Sequence, residues 1–233
     1  MNRFPATQKE QQKLVSSDGD EFIKHRERMI REQLQARDIT DSRVLGAMLR
    51  VPRHEFVPIE LIESAYDDNA LPIKLGQTIS QPYIVAIMTD LIDPQPGDRV
   101  LEVGTGSGYQ AAVLAQLADD VYSIERLGGM LERARANLLG LKLSNLRLAH
   151  GDGNHGLEKA APFNSIIVAA AAAQVPQALL RQLALGGRMI LPVKKPGAGR
   201  DAQRLMLIER GARGYVEREL DPVRFVPLEL GKA

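Results

Sequence analysis

The chain has 233 residues and a formal net charge of +1, with 44% of its residues hydrophobic and 25% charged. This composition suits one α/β domain with its own core, and the near-zero net charge gives no general attraction to nucleic acid or a membrane surface, so we expect neither as a partner. The absence of cysteine excludes a disulfide framework, a cysteine zinc site and a cysteine nucleophile.

The N-terminal part of the chain is predicted to be a tail followed by helices. Residues 1–20 are polar, aperiodic and without the apolar core of a signal peptide, so we expect a flexible tail on a cytoplasmic protein. From residue 21 the spacing predicts a helix whose apolar face is formed by Ile23, Met29, Ile30 and Leu34. Asp41 is placed to cap a second helix, with predicted core positions Val44, Leu45, Met48 and Leu49.

The segment "GQTISQP", residues 76–82, precedes a third predicted helix. Ser80 is a suitable N-cap and Pro82 suits the first turn. The same helix start presents the hydroxyls of Thr78 and Ser80 together with unpaired N–H groups, which suit a carboxylate ligand. The segment therefore has both a structural and a functional interpretation.

From residue 98 onward, short β-rich runs alternate with helical stretches. The predicted strands are residues 99–104, 120–125, 145–152, 163–170 and 188–193, and the predicted helices between them are 110–118, 130–139, 156–160 and 176–183. Crossovers of this length predict a mostly parallel sheet with right-handed connections. "LGGR", residues 185–188, is interpreted as a helix stop, and the glycine-containing turns beyond Val193 predict antiparallel strands at the C-terminus.

The stretch "LEVGTGSGYQ", residues 101–110, places Gly104, Gly106 and Gly108 between a strand and a helix. Such a loop lets backbone N–H groups approach a ligand, although a tight turn is the plain alternative. Glu125 ends the next strand about 20 positions later, where a carboxylate can bind both ribose hydroxyls. The G-x-G-x-G spacing, and the negative charge of Glu102 beside the loop, disfavour a dinucleotide pyrophosphate, whereas Glu102 can help to hold an ammonium group.

Asp152 lies in "GDG", residues 151–153, at the end of the third predicted strand. It is placed to contact an adenine amino group, and it is equally suited to a turn after the strand. No cluster of metal-ligating residues is apparent, and we expect no metal.

Over residues 29–228 the chain resembles the protein-L-isoaspartate O-methyltransferases. The resemblance is carried, in order, by "RVLGAMLRVPRHEFVP", "GQTISQPY", "VLEVGTGSGYQ", "HGDGNHGL" and "VRFVPL". It implies a Rossmann-like S-adenosylmethionine-dependent methyltransferase fold, with a seven-stranded sheet and an N-terminal helical region. We thus expect one methyltransferase domain over residues 21–233, divided into helices and substrate loop (21–95) and sheet (96–233).

The resemblance also implies S-adenosyl-L-methionine as cofactor and isoaspartyl-containing proteins and peptides as partners. Ser80 matches the active-site serine of the family. The implied cofactor-binding residues are Gln77, Thr78, Ile79 and Ser80 in the loop over cofactor and substrate, Glu102, Gly104, Thr105, Gly106 and Gly108 at the methionine end, Glu125 and Arg126 at the ribose, and Asp152 and Gly153 at the adenine.

Isoaspartate chemistry explains why no catalytic triad is apparent in the sequence. The free α-carboxylate of an isoaspartyl residue is already ionised at neutral pH and needs no general base. Alignment of the carboxylate oxygen, methyl carbon and sulfonium sulfur therefore supplies most of the acceleration. A nicotinamide oxidoreductase, a nucleic-acid methyltransferase and a non-catalytic cofactor-binding module are the alternatives.

Overall fold

The computed structural model describes residues 19–195 and 202–233. Residues 1–18 of the predicted tail lie outside that part of the chain. Helix α1, Asp20–Met29, continues into a π-helical turn, Ile30–Leu34, and helix α2 spans Ser42–Arg50. The carboxylate of Asp41 caps α2 by accepting a hydrogen bond from the Arg43 N–H at 2.7 Å, which confirms the predicted cap.

The buried faces of α1 and α2 differ from the predicted ones at four positions, two in each helix. Ile23 and Leu49 are each 40% exposed, whereas Arg26 and Ala47 are buried. Position 26 lies three residues before Met29 and eight before Leu34, which places it on their face of the helix. A polar residue therefore occupies an interior position that apolar periodicity cannot identify.

Within the described residues, seven strands form the main sheet and two short strands form a separate antiparallel pair. The short pair is β1, Leu71–Pro72, with β2, Thr78–Ile79, and the sheet strands are β3, Arg99–Val103; β4, Asp120–Glu125; β5, Leu146–His150; β6, Phe163–Val168; β7, Leu183–Lys194; β8, Gln203–Gly211; and β9, Gly214–Val223. The spatial order is β5-β4-β3-β6-β7-β8-β9. The first five strands in this order are parallel, and β8 and β9 continue the sheet antiparallel, which confirms the predicted fold class.

Helices cover both faces of the sheet. They are α3, Pro82–Ile92; α4, Tyr109–Leu114; α5, Gly128–Leu138; and α6, Gln177–Gln182. Leu101 and Val103 of β3 pack in one apolar cluster, and Val100, which precedes them, packs in another. Because successive strand residues point to opposite faces, this alternation shows that β3 is buried on both sides. No helix in the described ranges is long and apolar enough to cross a membrane.

The predicted helix stop at residues 185–188 lies inside β7. Helix α6 ends earlier, at Gln182, and β7 pairs with β6 through Leu183 and then, after a register shift, through Arg188. The intervening residues bulge out of the ladder. A side chain at Gly187 would lie 2.7 Å from the Asn164 carbonyl oxygen, so this glycine permits a close backbone approach.

A buried arginine links the N-terminal region to α4. Arg53 is 0% exposed, donates from Nε to the Ala65 carbonyl at 2.7 Å and lies with its guanidinium 4.9 Å from the Tyr109 ring centroid. Burial lowers the pKa of Arg53. Since Tyr109 directly follows the glycine loop, this contact joins the N-terminal helices to the sheet edge where that loop lies.

Candidate functional site

A cavity of about 870 Å³ opens at the carboxyl ends of β3, β4 and β6. This volume lies within the usual range for small-molecule sites. Its walls come from the loop before α3, the glycine loop, the end of β4 and a late segment, residues 222–229. Parallel strands deliver their carboxyl ends to one edge of the sheet, which is where α/β proteins commonly bind ligands.

The three loop glycines have different surroundings. Gly104, Gly106 and Gly108 all have positive φ, at +97°, +55° and +91°. Gly104, Thr105 and Gly106 line the cavity. At Gly108, which does not appear in that lining, a Cβ would lie 2.9 Å from the Leu138 side chain. The third glycine therefore allows α4 to begin close against α5.

Glu125 is fixed at the end of β4 with both carboxylate oxygens engaged. It is 6% exposed, and it accepts hydrogen bonds from the N–H groups of Gly106 at 3.0 Å and Leu127 at 2.9 Å. Each carboxylate oxygen retains capacity for a further donor. Arg126, next along the cavity wall, pairs with Glu229 at 2.7 Å.

Glu102 is a buried acid beneath the glycine loop. It is 0% exposed and lines the cavity. The Ser123 hydroxyl donates to its Oε2 and lies 2.6 Å from the Thr105 hydroxyl, whereas Oε1 has no hydrogen-bond partner in the described ranges. Burial raises the pKa of Glu102 to about 8, and the nearby Glu125 acts in the same direction. The side chain is therefore mostly protonated at neutral pH, with one oxygen unpaired.

The loop of residues 77–80 lines the same cavity as Glu102 and Glu125. Gln77, Thr78, Ile79 and Ser80 all line it. The N-cap of α3 is Gln81, with Pro82 in the first turn and no side-chain capping hydrogen bond. The predicted capping role of Ser80 is therefore wrong, because the helix begins one residue later than the pattern indicates. The Ser80 side chain is left available at the cavity wall.

Asp152 and Gly153 occupy different environments although they are adjacent. Gly153 lines the cavity, and a Cβ there would lie 2.3 Å from Val103 Cγ1. The Asp152 carboxylate accepts hydrogen bonds from the N–H groups of Asn154 at 2.9 Å and Gly231 at 2.7 Å. Burial opposes ionisation of Asp152, but these bonds outweigh it and hold its pKa below the usual value.

Several cavity-lining residues missed from the sequence lie in the C-terminal strap, which we define as residues 224–233. Both amide atoms of Gln203 hold the strap's first turn, donating to the Phe225 carbonyl at 3.0 Å and accepting from its N–H at 2.7 Å. The strap then pairs with Ala171 and ends with the Ala233 N–H donating to the Arg126 carbonyl at 2.8 Å. The motif "VRFVPL" is apparent in the sequence, but these contacts are made by the backbone of the strap with distant segments, and side-chain patterns do not reveal them.

The histidines nearest the site have structural contacts. His150 Nε2 lies 2.9 Å from the Arg126 carbonyl oxygen, and His155 Nδ1 lies 3.6 Å from an Asp152 oxygen. Neither belongs to the cavity lining given by the described residues.

Comparison with known proteins points to one family. The model of the family "Protein-L-isoaspartate(D-aspartate) O-methyltransferase" matches residues 24–233. Protein-L-isoaspartate O-methyltransferases of Dechloromonas aromatica and of an Azoarcus species are similar to the chain. The first is 55% identical over 208 residues, 88% of this chain and 94% of the relative, and the second is 56% identical over 217 residues, 92% and 97% of the two chains.

Solved structures give the same grouping. One protein-L-isoaspartate O-methyltransferase superposes with a TM-score of 0.79 at 28% identity, covering 88% of this chain and 67% of the other. A Plasmodium falciparum structure, described as a member of this enzyme class in complex with S-adenosyl-L-homocysteine, superposes with a TM-score of 0.76 at 27% identity, covering 88% and 98%.

Proposed function

The chain belongs to the protein-L-isoaspartate(D-aspartate) O-methyltransferase family, and we propose how its own residues carry that reaction. It transfers a methyl group from S-adenosyl-L-methionine to the free α-carboxylate of L-isoaspartyl residues, which starts their repair. The residue assignment depends on one observation, that the glycine loop, Glu125 and the Gln77–Ser80 loop all line one cavity.

The residues at the sheet edge fit an adenosyl ligand with an ammonium group. Glu125 has spare acceptor capacity at the cavity wall, and we assign it, with Arg126, to the ribose. Glu102, Gly104, Thr105 and Gly106 are assigned to the methionine end, because all four line the cavity and Glu102 has a buried oxygen with no hydrogen-bond partner among the described residues. Gly153, with Asp152 beside it, is assigned to the adenine edge, and Gly108 supports the loop through its packing on α5.

Ser80 is the proposed catalytic residue on the acceptor side. The sulfonium donor supplies an electrophilic methyl carbon, and the acceptor is an anion, so the protein need not remove a proton. The Ser80 hydroxyl donates to the acceptor carboxylate and orients one oxygen toward the methyl carbon. Such positioning of two reactants accounts for large rate effects without a covalent enzyme intermediate.

The reaction neutralises charge, so the cavity walls also contribute by excluding water. The C-terminal strap and the Gln77–Ser80 loop both cover the site. Removing water strengthens the attraction between the anionic acceptor and the cationic donor, after the cost of desolvating the carboxylate. The methyl ester is then attacked by the following backbone amide nitrogen, methanol leaves, and the resulting succinimide can hydrolyse to normal aspartate.

The N-terminal helices and the sheet are proposed to form one functional domain, residues 21–233. In support, the cavity is lined by residues 70–81 of the first part and by strands of the second. Arg53 and Tyr109 also pack together across the boundary.

A paired methylation assay tests the function. One peptide contains L-isoaspartate and the other has L-aspartate at the same position, and both are incubated with S-adenosylmethionine carrying a labelled methyl group. We expect label on the isoaspartyl peptide alone, as a base-labile ester. Calorimetric titration with S-adenosylhomocysteine and with NAD checks the cofactor class. Equal labelling of the two peptides, or binding of NAD instead, would overturn the proposal.

A further inference from the structure

A second cavity, of about 510 Å³, shares a wall with the first. Its lining includes Pro222, Val223 and Arg224, and the same three residues line the candidate active site. The other described lining residues are Lys195, Ala202, Gln203 and Arg204. The two cavities therefore adjoin through residues 222–224.

The described lining of the second cavity carries three cations and no acid. These cations are Lys195, Arg204 and Arg224. A single carboxylate compensates two of them, since Glu219 Oε1 lies 2.9 Å from Lys195 Nζ and 3.4 Å from Arg204 Nε. The hydrogen bond from Lys195 holds the pKa of Glu219 below its usual value, as expected in a region of net positive potential.

Arg224 is the third of these cations, and Glu219 does not pair with it. It is exposed, and none of the described residues forms a hydrogen bond or ion pair with it. Its backbone position is nevertheless fixed, because both amide atoms of Gln203 bind the neighbouring Phe225 main chain. A guanidinium on an anchored backbone, without an internal partner, is suited to an anionic group of a bound ligand.

We propose that the second cavity is a substrate subsite that receives an acidic side chain flanking the isoaspartyl residue, with Arg224 as the main specificity determinant and Lys195 contributing. This inference rests on the proposed function and extends it from the damaged residue to its sequence context. Main-chain recognition alone would tolerate any neighbour, whereas this charge pattern selects among substrates.

The experiment compares isoaspartyl peptides that differ by one charge. Glutamate or glutamine is placed at each of the three positions on either side of isoaspartate, and kcat/KM is measured at a moderate salt concentration of about 0.1 M. For at least one position we expect the glutamate peptide to be favoured by roughly three- to tenfold, a size typical of solvent-accessible charge pairs. The Arg224→Gln variant should lower this ratio at least twofold, and Lys195→Gln should lower it less.

The matched control is Arg213→Gln, which makes the same change of net charge in the β8–β9 turn. β9 has ten residues between that turn and Arg224, or about 30 Å of extended strand, well beyond the screening length of about 10 Å at moderate salt. The control should leave the ratio unchanged.

The possible outcomes distinguish failure of the proposed subsite from failure of the proposed function. Labelling of the glutamine peptides with a glutamate ratio near one at every position would overturn the subsite while the proposed function stands. An equal loss for both peptides in Arg224→Gln would place Arg224 at the isoaspartyl carboxylate instead, and an equal effect of Arg213→Gln would indicate general electrostatics; either result overturns the inference. No label on any isoaspartyl peptide would overturn the proposed function and the subsite together.

Discussion

Replacing Glu102 with glutamine should make the protein more stable at neutral pH while weakening its cofactor site. The carboxyl group is fully buried, and burial raises its pKa to about 8 from an ordinary value of 4.5. In the unfolded chain the same group ionises freely in water. Folding at neutral pH must therefore return a proton to Glu102, and the amide of glutamine needs none.

The sign and size follow from proton linkage. The folded-state pKa lies above the unfolded value, so the contribution of Glu102 to stability is fully present below about pH 4.5 and is lost as the pH rises to about 8. The slope is about 1.4 kcal/mol per pH unit, which gives a loss of about 3 kcal/mol by neutral pH. The Glu102→Gln variant avoids that loss, and its melting temperature should exceed that of the wild type by roughly 6–12 °C at neutral pH.

Thermal and denaturant unfolding between about pH 5 and pH 8 measures this directly. The matched control is Glu132→Gln, the same substitution at an exposed site on α5, which should change stability by less than about 0.5 kcal/mol. Calorimetry with S-adenosylhomocysteine provides the functional readout, with weaker binding expected because glutamine cannot ionise to pair with the ammonium group. A stability difference that is constant over the pH range would refute the reasoning for Glu102.

Three further substitutions test other parts of the site. Glu125→Ala should weaken cofactor binding by roughly a hundredfold, from two charge-assisted hydrogen bonds of about 1.5 kcal/mol each; unchanged affinity in a titration of the folded variant would contradict the ribose assignment. Ser80→Ala should lower kcat by about a hundredfold without changing the melting temperature, since Ser80 does not cap α3; full turnover would remove it from the mechanism. Asp152→Asn should cost about 1–2 kcal/mol at neutral pH, in denaturant titrations, and the cost should shrink as the pH falls below the ordinary Asp value of 3.8 toward the lower pKa of the folded state; equal neutral-pH stability would exclude a structural role for its charge.

The sheet could be predicted from the sequence because each of its determinants is local. Short apolar runs and the glycines between them predict strands with bounds close to the observed ones. The turn around residues 211–214 predicts the antiparallel strands at the C-terminal end of the sheet. At β7 the prediction from local sequence is wrong. The residues interpreted as a helix stop form a bulge, because β6 and β7 pair both before and after them.

The cofactor side of the candidate site was more predictable than the rest. Its residues follow consecutive strands, so parallel topology alone brings Glu102, the glycine loop and Glu125 to one edge. The protonation of Glu102 depends on complete burial, which a motif does not encode. Arg26 and Arg53 were likewise missed as interior residues, since their burial requires partners far along the chain.

The C-terminal strap has a consequence for the order of folding events. Gly231 of the strap bonds to Asp152, 79 positions earlier in the sequence. Phe225 of the strap bonds to the earlier Gln203, and the strap also pairs with Ala171. Contacts of such large sequence separation carry a high loop-closure entropy and form slowly. Assembly of the cavity should therefore be among the last folding steps, and a ligand bound there should act chiefly by slowing unfolding, with little effect on the refolding rate.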